Sequence, residues 1–476
     1  METQSSPQIK RTLGVFSIVL MVVAATAPLT VVAGTQPLVM TYTENNSIPV
    51  YYLATGAILL FSVGFTKMSG YVPNAGAFYS YIQAGLGKTM GLGAATMALL
   101  SYVLICIAVL AYLGYATANT IALFAPAIEV PWWVCAIAWW AAIAFLGYRN
   151  IDLSSKVLGV LVLEVLSVTI LDVTIIGTGG NEGLSLAPFS PSNFLSGVPG
   201  LGLMWAFFGF IGFEATAVFR NEAKDPEKTI PRATYIAVAF IALFYGFSGW
   251  CLVMGAGADS ALAFAQKTQD AYALELAALY VGQWLYDVFQ CLLVTSLFAC
   301  ALALHNVASR YTFTLSRVKV LPACLGEVHK THFAPSNASM SISIVSFALL
   351  AIVTIVGLDP LTVYAWFANT ATLGLLVLQM LTSVSVAAFF RRVVHGASIW
   401  RTLVAPVVAA ACLAFVASVV LSNFADLTGD MTSALVMGSL IPLSYLAGMA
   451  IAGRMKKNRP SDFSNLAILV SGQSAA

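Results

Sequence analysis

The residues best placed to do chemistry are acids inside long apolar runs. Glu164 stands about ten residues into the run 154–176, roughly 15 Å along a helix that rises about 1.5 Å per residue. An ionisable side chain at that depth is costly and usually functional. A carboxyl there suits the carriage of a proton or the attraction of a cation; otherwise it is a hydrogen-bonded structural acid. Glu214 closes the stretch Trp205-Ala206-Phe207-Phe208-Gly209-Phe210-Ile211-Gly212-Phe213-Glu214 and would act in gating or proton exchange. Asp287 falls near the end of its run, where a hydrated or paired acid is the default. The four histidines (His305, His329, His332, His395) lack ligand spacing, and the seven cysteines form no CxxC pair. With no phosphate loop or nucleophile constellation, neither an ATP-driven pump nor a membrane enzyme is expected, and no cofactor or metal.

Two interrupted segments would position these acids. In Ala25-Thr26-Ala27-Pro28-Leu29-Thr30, Pro28 cannot donate to a helical ladder and clashes with the preceding turn. Thr26 suits the N-cap of a helix that restarts after it. Gly209 and Gly212, three apart among aromatic residues, mark either close helix packing or a second break. Open backbone at bilayer depth is tolerated only where protein or a water-filled cavity satisfies it. Free N–H groups at the start of a half-helix favour a carboxylate, and carbonyls at the end of the preceding half favour an ammonium. Crossed breaks therefore suit a zwitterion such as an amino acid. A polyamine fits less well unless an acidic side chain takes over the carboxylate-binding end.

The elements that carry these segments are membrane helices. The chain is 59% hydrophobic and 9% charged, against about 25% charged in a soluble domain. Its apolar runs approach the ~20 residues that cross a ~30 Å hydrocarbon core. The expected architecture is an all-α integral membrane protein with twelve spans, at 13–40, 50–66, 89–122, 131–147, 154–176, 199–219, 233–257, 278–312, 340–357, 361–387, 402–420 and 432–452. With the N-terminus inside, every one of the 22 Lys and Arg residues except Lys267 falls on the internal side, while Glu182, Asp259, Asp270, Asp359, Asp426 and Asp430 lie in opposite loops. This segregation places both termini in the cytoplasm and the chain in the inner membrane. Segment 1–12 leads straight into the first run and reads as retained sequence, not a signal peptide. A net charge of +2 without a basic tract gives no case for nucleic acid.

Three stretches carry a family resemblance. The first is Phe207 to Glu214, continuing through Glu222-Ala223-Lys224-Asp225-Pro226 and Ile230-Pro231-Arg232-Ala233. The second is Pro73-Asn74-Ala75-Gly76-Ala77-Phe78-Tyr79 with Tyr81 and Gly85, a Pro-x-Ala-Gly-x-x-Tyr pattern. The third is Asn306, Arg310 and Tyr311, then Ser316-Arg317 and Leu321-Pro322. Together they resemble the amino acid–polyamine–organocation family of transporters, and within it the bacterial amino acid permeases. The resemblance implies a five-plus-five inverted repeat (LeuT-like) with discontinuous helices one and six and two further helices at the C-terminal end. The chain then divides into a tail 1–12, a first repeat 13–176, an extracellular loop 177–198, a second repeat 199–387, spans eleven and twelve 388–452, and a tail 453–476. It also implies alternating access around a substrate held by spans one, three, six, eight and ten. Two departures stand out: many relatives have a Gly-Ser-Gly run where this chain has Ala25-Thr26-Ala27-Pro28, and some carry a lysine near Glu164 in place of a sodium ion.

On these segments Thr26, Ala27 and Leu29 are expected to hold the substrate carboxylate through backbone amides and the Thr26 hydroxyl, which otherwise caps its own helix. Phe207 and Phe208, beside Gly209, would turn carbonyls to the substrate amine, with the Phe208 ring as a lid. Tyr102, Trp366 and Asn369 would line the cavity, as would Thr295 and Ser296, which could coordinate sodium. The unwound first span offers no hydroxyl but Thr26, which favours protons over sodium as the coupling ion. Glu164 and Glu214 are the candidates for proton coupling or gating. Lys224-Asp225-Pro226-Glu227-Lys228 and Ser316-Arg317 are expected to fix topology and close the inner gate through ion pairs. The function implied is import of an amino acid by proton symport; the alternatives are a polyamine or organic-cation transporter, or an amine exchanger. The expected partners are the small solute and the lipid bilayer, with oligomeric state open.

Overall fold

Prolines and glycines punctuate the apolar runs and set where the helices start and stop. The computed structural model describes residues 13–43, 47–72, 77–149, 154–190, 197–218, 220, 223–329, 334–393 and 396–466. Helix α1 (Val15–Ala25) stops at Thr26; α2 (Pro28–Thr30) passes through a π turn (Val31–Thr35) into α3 (Gln36–Thr43). Then come α4 (Ser47–Ser69), the short α5 (Ala77–Leu86), α6 (Lys88–Phe124), α7 (Trp132–Tyr148) and α8 (Ser154–Thr178). Helices α9 (Pro199–Phe208) and α10 (Ala215–Val218) flank a second interruption. They lead to α11 (Pro226–Ala256), α12 (Ala261–Thr268), α13 (Tyr272–Tyr280), α14 (Gln283–Arg317), α15 (Ser336–Val356) and α16 (Pro360–Phe390). The chain ends in α17 (Ala405–Ser422), preceded by a π turn (Trp400–Val404), then α18 (Phe424–Thr428), α19 (Met431–Asn458) and α20 (Pro460–Asn465).

Among the described residues ten helices are long and apolar enough to cross a membrane, counting α1 to α3 as one, and α7 and α9 are apolar but shorter. Two of the starts are capped by acids. Asp359 accepts from the Leu361 and Thr362 N–H groups at 2.9 and 3.2 Å, with Pro360 in the first helical position. Asp430 accepts from the Ser433 N–H at 2.9 Å and its hydroxyl at 2.6 Å. These acids satisfy amides that no helical carbonyl reaches.

Helix α6 is the most enclosed span and packs chiefly on α16, α19 and α14. It meets α19 through two glycines: a Cβ on Gly448 would lie 2.8 Å from the Gly93 Cα. There the Thr96 hydroxyl donates to the Ser444 carbonyl at 2.8 Å. Small residues allow this approach, which takes the place of a hydrophobic drive between helices in lipid. Leu435, Val436, Leu443 and Leu446 of α19 point outward as a lipid-facing stripe.

The sequence reading misplaces some boundaries. The seventh span begins at Pro226, so Pro231 lies inside it. The eighth begins at Gln283, because the apolar stretch before it is α13, whose buried Tyr272, Ala273, Leu274, Leu276 and Ala277 dock on the bundle. Gly282, at φ 124°, separates the two. The C-terminal tail starts with an ordered helix: Lys319 pairs with Asp462 at 2.8 Å, Lys88 donates to the Ser464 carbonyl at 3.1 Å, and the Gln83 amide donates to the Leu466 carbonyl. Segment 1–12, the motif Pro73 to Gly76, Glu222, His332 and His395 lie outside the described residues.

Candidate functional site

The first break arises because Ala27 adopts a left-handed conformation, φ 48° and ψ 73°. A residue other than glycine is strained there by about 1–3 kcal/mol, which surrounding structure must offset. Thr26 stays right-handed, and its hydroxyl donates back to the Val23 carbonyl at 2.8 Å. It therefore does not cap the helix that follows, contrary to the sequence expectation: the turn falls one residue later, at Ala27, and the hydroxyl serves the end of α1. The Thr26 and Ala27 amides donate to the Val22 and Ala24 carbonyls at 3.1 and 3.2 Å. Pro28 has no N–H.

The Leu29 amide, next in line at the start of α2, reaches no backbone carbonyl among the described residues, and Glu164 takes it. The Glu164 Oε2 accepts from the Leu29 N–H at 3.4 Å and from the Ser296 hydroxyl at 2.9 Å. The Thr30 hydroxyl in turn donates to Ser296 Oγ at 3.3 Å. One buried carboxyl thus ties α8 to α2 and α14, and no Lys, Arg or His pairs with it among the described residues. Thr295 does not join this cluster. It is exposed, and its hydroxyl bonds back to the Leu292 carbonyl at 2.8 Å, because neighbours on a helix point about 100° apart.

The second break packs against the first. Gly212, at φ 113°, lies in contact with Ala25 and Thr26, and Gly209 lies against Val31. The Phe207 and Phe208 carbonyls accept the Phe210 and Ile211 amides at 3.0 Å each, which leaves each a second lone pair. Glu214 folds back over this turn. Its Oε2 accepts from the Gly212 N–H at 2.9 Å and its Oε1 from the Tyr102 hydroxyl at 2.7 Å. Two residues expected separately, Tyr102 as lining and Glu214 as gate, are one buried hydrogen-bonded pair joining α6 to the break.

On the other side of the breaks sits an aromatic group. The Phe208 ring meets Trp205 at 5.7 Å and Tyr364 at 5.9 Å, both edge-on, and Tyr364 lies 4.9 Å from Tyr112. The Tyr364 hydroxyl reaches Thr35 at 3.5 Å. Tyr364 of α16 was not singled out from sequence; Trp366, two residues on, was, and it is only half-buried. Asn369 is 1% exposed, and neither its amide oxygen nor its nitrogen has a partner among the described residues. A buried amide left so needs a partner from water or solute.

Sequence reasoning also passed over Asp172. It lies about two turns beyond Glu164 on the buried face of α8. Its Oδ2 accepts from the Ser248 hydroxyl of α11 at 2.6 Å, and its Oδ1 has no partner. The signal was present as an acid eight positions after Glu164, within the same apolar stripe. At the opposite end, Lys228 pairs with Asp225 at 3.3 Å inside its own turn, so this pair does not bridge elements as expected of a gate. The link across is backbone: Lys224 N–H donates to the Leu13 carbonyl at 3.0 Å, beside a Leu13–Ala223 bridge.

A bundle whose buried polar groups converge on two touching helix breaks belongs to the multi-pass secondary transporters. The chain itself is a member of the amino acid permease family, which it matches over residues 17–461, and as such it is a non-enzymatic carrier of the amino acid–polyamine–organocation superfamily. It is similar to the branched-chain amino acid permease BcaP of Bacillus subtilis, 24% identical over 79% of this chain and 81% of the relative. It is also similar to the low-affinity putrescine importer PlaP of Escherichia coli K12, 28% identical over 73% of this chain and 76% of the relative. A methylthioribose transporter of Bacillus subtilis is 26% identical over 52% of this chain and 49% of that protein.

Proposed function

We propose that this transporter imports an amino acid across the cytoplasmic membrane by alternating access, in symport with protons. Twelve crossings, with α7 and α9 among them, form two inverted five-helix repeats, 13–176 and 199–387, and the 388–452 pair stands outside. The positive-inside charge pattern supports cytoplasmic termini. The observation that carries the coupling is the Glu164 carboxyl on the Leu29 amide. An incoming carboxylate needs that same donor, so it binds best when Glu164 holds a proton and yields it. The substrate amine then faces the Phe207 and Phe208 carbonyls, with the rings of Phe208 and Tyr364 over the side chain and Asn369 available to it.

A second reading has its own support. Glu164 already supplies a carboxylate at the break, which a di- or polyamine would use in place of its missing acid group, and one relative is named as a putrescine importer. The test is uptake by proteoliposomes from a mixed pool of amino acids and polyamines in sodium-free buffer, with and without an inward proton gradient. Gradient-dependent accumulation of an amino acid, lost in E164Q, supports the first reading. Uptake that E164Q retains with full pH dependence refutes the coupling role, and uptake seen only with amine-preloaded vesicles establishes exchange.

A further inference from the structure

A cleft of about 790 Å³ opens between the end of α4, the start of α11 and the π turn before α17. It lies at the basic end of the bundle, past the point where Phe65 of α4 meets Phe213 of the second break, and the proposed mechanism makes no use of it. Lys67 and Arg401 line it together with Glu227, Tyr71, Tyr235 and Trp400. Among the described residues neither Lys67 nor Arg401 has an ion-pair partner, in a chain where Lys319 and Lys228 have theirs. The Lys67 ammonium rests 5.3 Å from the centre of the Tyr71 ring, and the Tyr235 hydroxyl meets the Thr66 hydroxyl at 3.5 Å. Trp400 is exposed, as is Ile399 before it.

We propose that this cleft binds the headgroup of an anionic glycerophospholipid. Lys67 and Arg401 take the phosphate, Glu227 accepts from headgroup hydroxyls, and Trp400 and Tyr71 sit at the depth where aromatic rings border the hydrocarbon. The assignment follows from position as well as charge. Lys67 is in the last turn of one crossing helix and Arg401 in the first turn of another, so both lie at the membrane surface. Basic pockets between spanning helices on the cytoplasmic side recognise such headgroups, and that leaflet carries the anionic lipid. The side rests on the topology proposed above; the site itself does not depend on what is transported. The ligand chemistry is a phosphate ester bearing hydroxyls, which soluble glycerol phosphate shares, so the experiment separates the two.

Delipidated full-length protein is titrated with phosphatidylglycerol, phosphatidylcholine and soluble glycerol phosphate, and bound ligand is counted by native mass spectrometry. Phosphatidylglycerol should be retained, and the double variant K67Q/R401Q should weaken it roughly 30-fold. Phosphatidylcholine retention should not change. Glu227→Gln should narrow the preference for phosphatidylglycerol over phosphatidic acid, which a general loss of fold would not do; an unchanged preference removes the hydroxyl-accepting role. Equal phosphatidylglycerol binding by wild type and K67Q/R401Q overturns the site. Competition by glycerol phosphate at the lipid's own affinity overturns the lipid assignment and leaves a soluble-phosphate site. Substrate uptake retained by a variant that loses the lipid separates this result from any failure of the transport reading.

Discussion

Removing the Tyr102 hydroxyl should release the second helix break. Tyr102→Phe deletes the 2.7 Å bond to Glu214 and the hydroxyl's contact with the Tyr311 hydroxyl, while the ring still packs on Tyr311 at 5.3 Å between centres. Both oxygens of Glu214 are committed, one to Gly212 and one to Tyr102. Loss of the second partner strands a buried acceptor, which costs about 1.5–3 kcal/mol when the acceptor is charged. The conformation held by this bond should fall in population on the order of 10- to 150-fold relative to any state that does not use it.

The assay is reversible unfolding in mixed micelles for wild type, Y102F, E214Q and the double variant. If the hydroxyl acts through Glu214, the two single losses should not add, with a coupling close to the whole Y102F effect. Single-cysteine labelling near Gly212 should quicken in Y102F. Strict additivity, or a Y102F protein as stable as wild type, refutes the pairing as a source of stability and returns Tyr102 to simple cavity lining.

Other outcomes follow from the same structure. Ser248→Ala leaves Asp172 without its donor and should destabilise the α8–α11 contact by about 1–3 kcal/mol, read by unfolding; S248T should restore it. Gly448→Val forces α19 away from Gly93 and Thr96, and should abolish folded monomer in size-exclusion chromatography where G453V, with open space around it, should not. In the loop after α8, the Ser260 hydroxyl and Asp259 N–H bonds hold the Glu182 carboxyl below its usual range. A depressed acid contributes stability above its unfolded value and loses it as pH falls through the folded one. Amide exchange at Asp259, corrected for its intrinsic rate, should therefore be slow at neutral pH and accelerate only in the acid range, and E182Q should remove that pH dependence.

What the sequence made legible was what depends on local chemistry. Pro28 has no N–H, so a break near it was readable without any neighbour, and Gly209 and Gly212 marked the second. Glu164 was conspicuous because a carboxyl in an apolar run has few innocent explanations. The residue at which the chain turns is not legible: Ala27 is left-handed in a turn where Gly212 lies against Thr26 and the Tyr245 hydroxyl reaches the Thr26 carbonyl, and no local preference of alanine predicts it. Partnerships across helices were hidden for the same reason. Tyr102 and Glu214 are 112 positions apart, and Tyr364 looks no different from its neighbour Trp366 until α16 is rotated against α6. The last turn of α13, from residue 278, merges with the next span in the sequence because an apolar inward face looks the same whether the helix crosses the membrane or lies on the bundle's end.

The sign of proton coupling can decide the substrate class, because Glu164 responds oppositely to the two. A substrate carboxylate at the Leu29 amide would sit beside the Glu164 oxygen that accepts from it. Two like charges about 5 Å apart repel by roughly 3 kcal/mol at an effective dielectric of about 20. Substrate and proton then strengthen each other's binding by on the order of 100-fold, and the effect is reciprocal. An ammonium at the same place is attracted to the ionised carboxylate, so an amine and a proton compete. Purified protein in weakly buffered detergent solution, watched with a pH dye near neutrality, should take up protons when its amino acid binds. A polyamine substrate should instead release them. E164Q should silence either signal while leaving the Ser248–Asp172 contact intact. Proton uptake of wild-type size in E164Q would place the coupling site elsewhere, with Glu214 and Asp172 the remaining buried acids on the spans that meet the breaks.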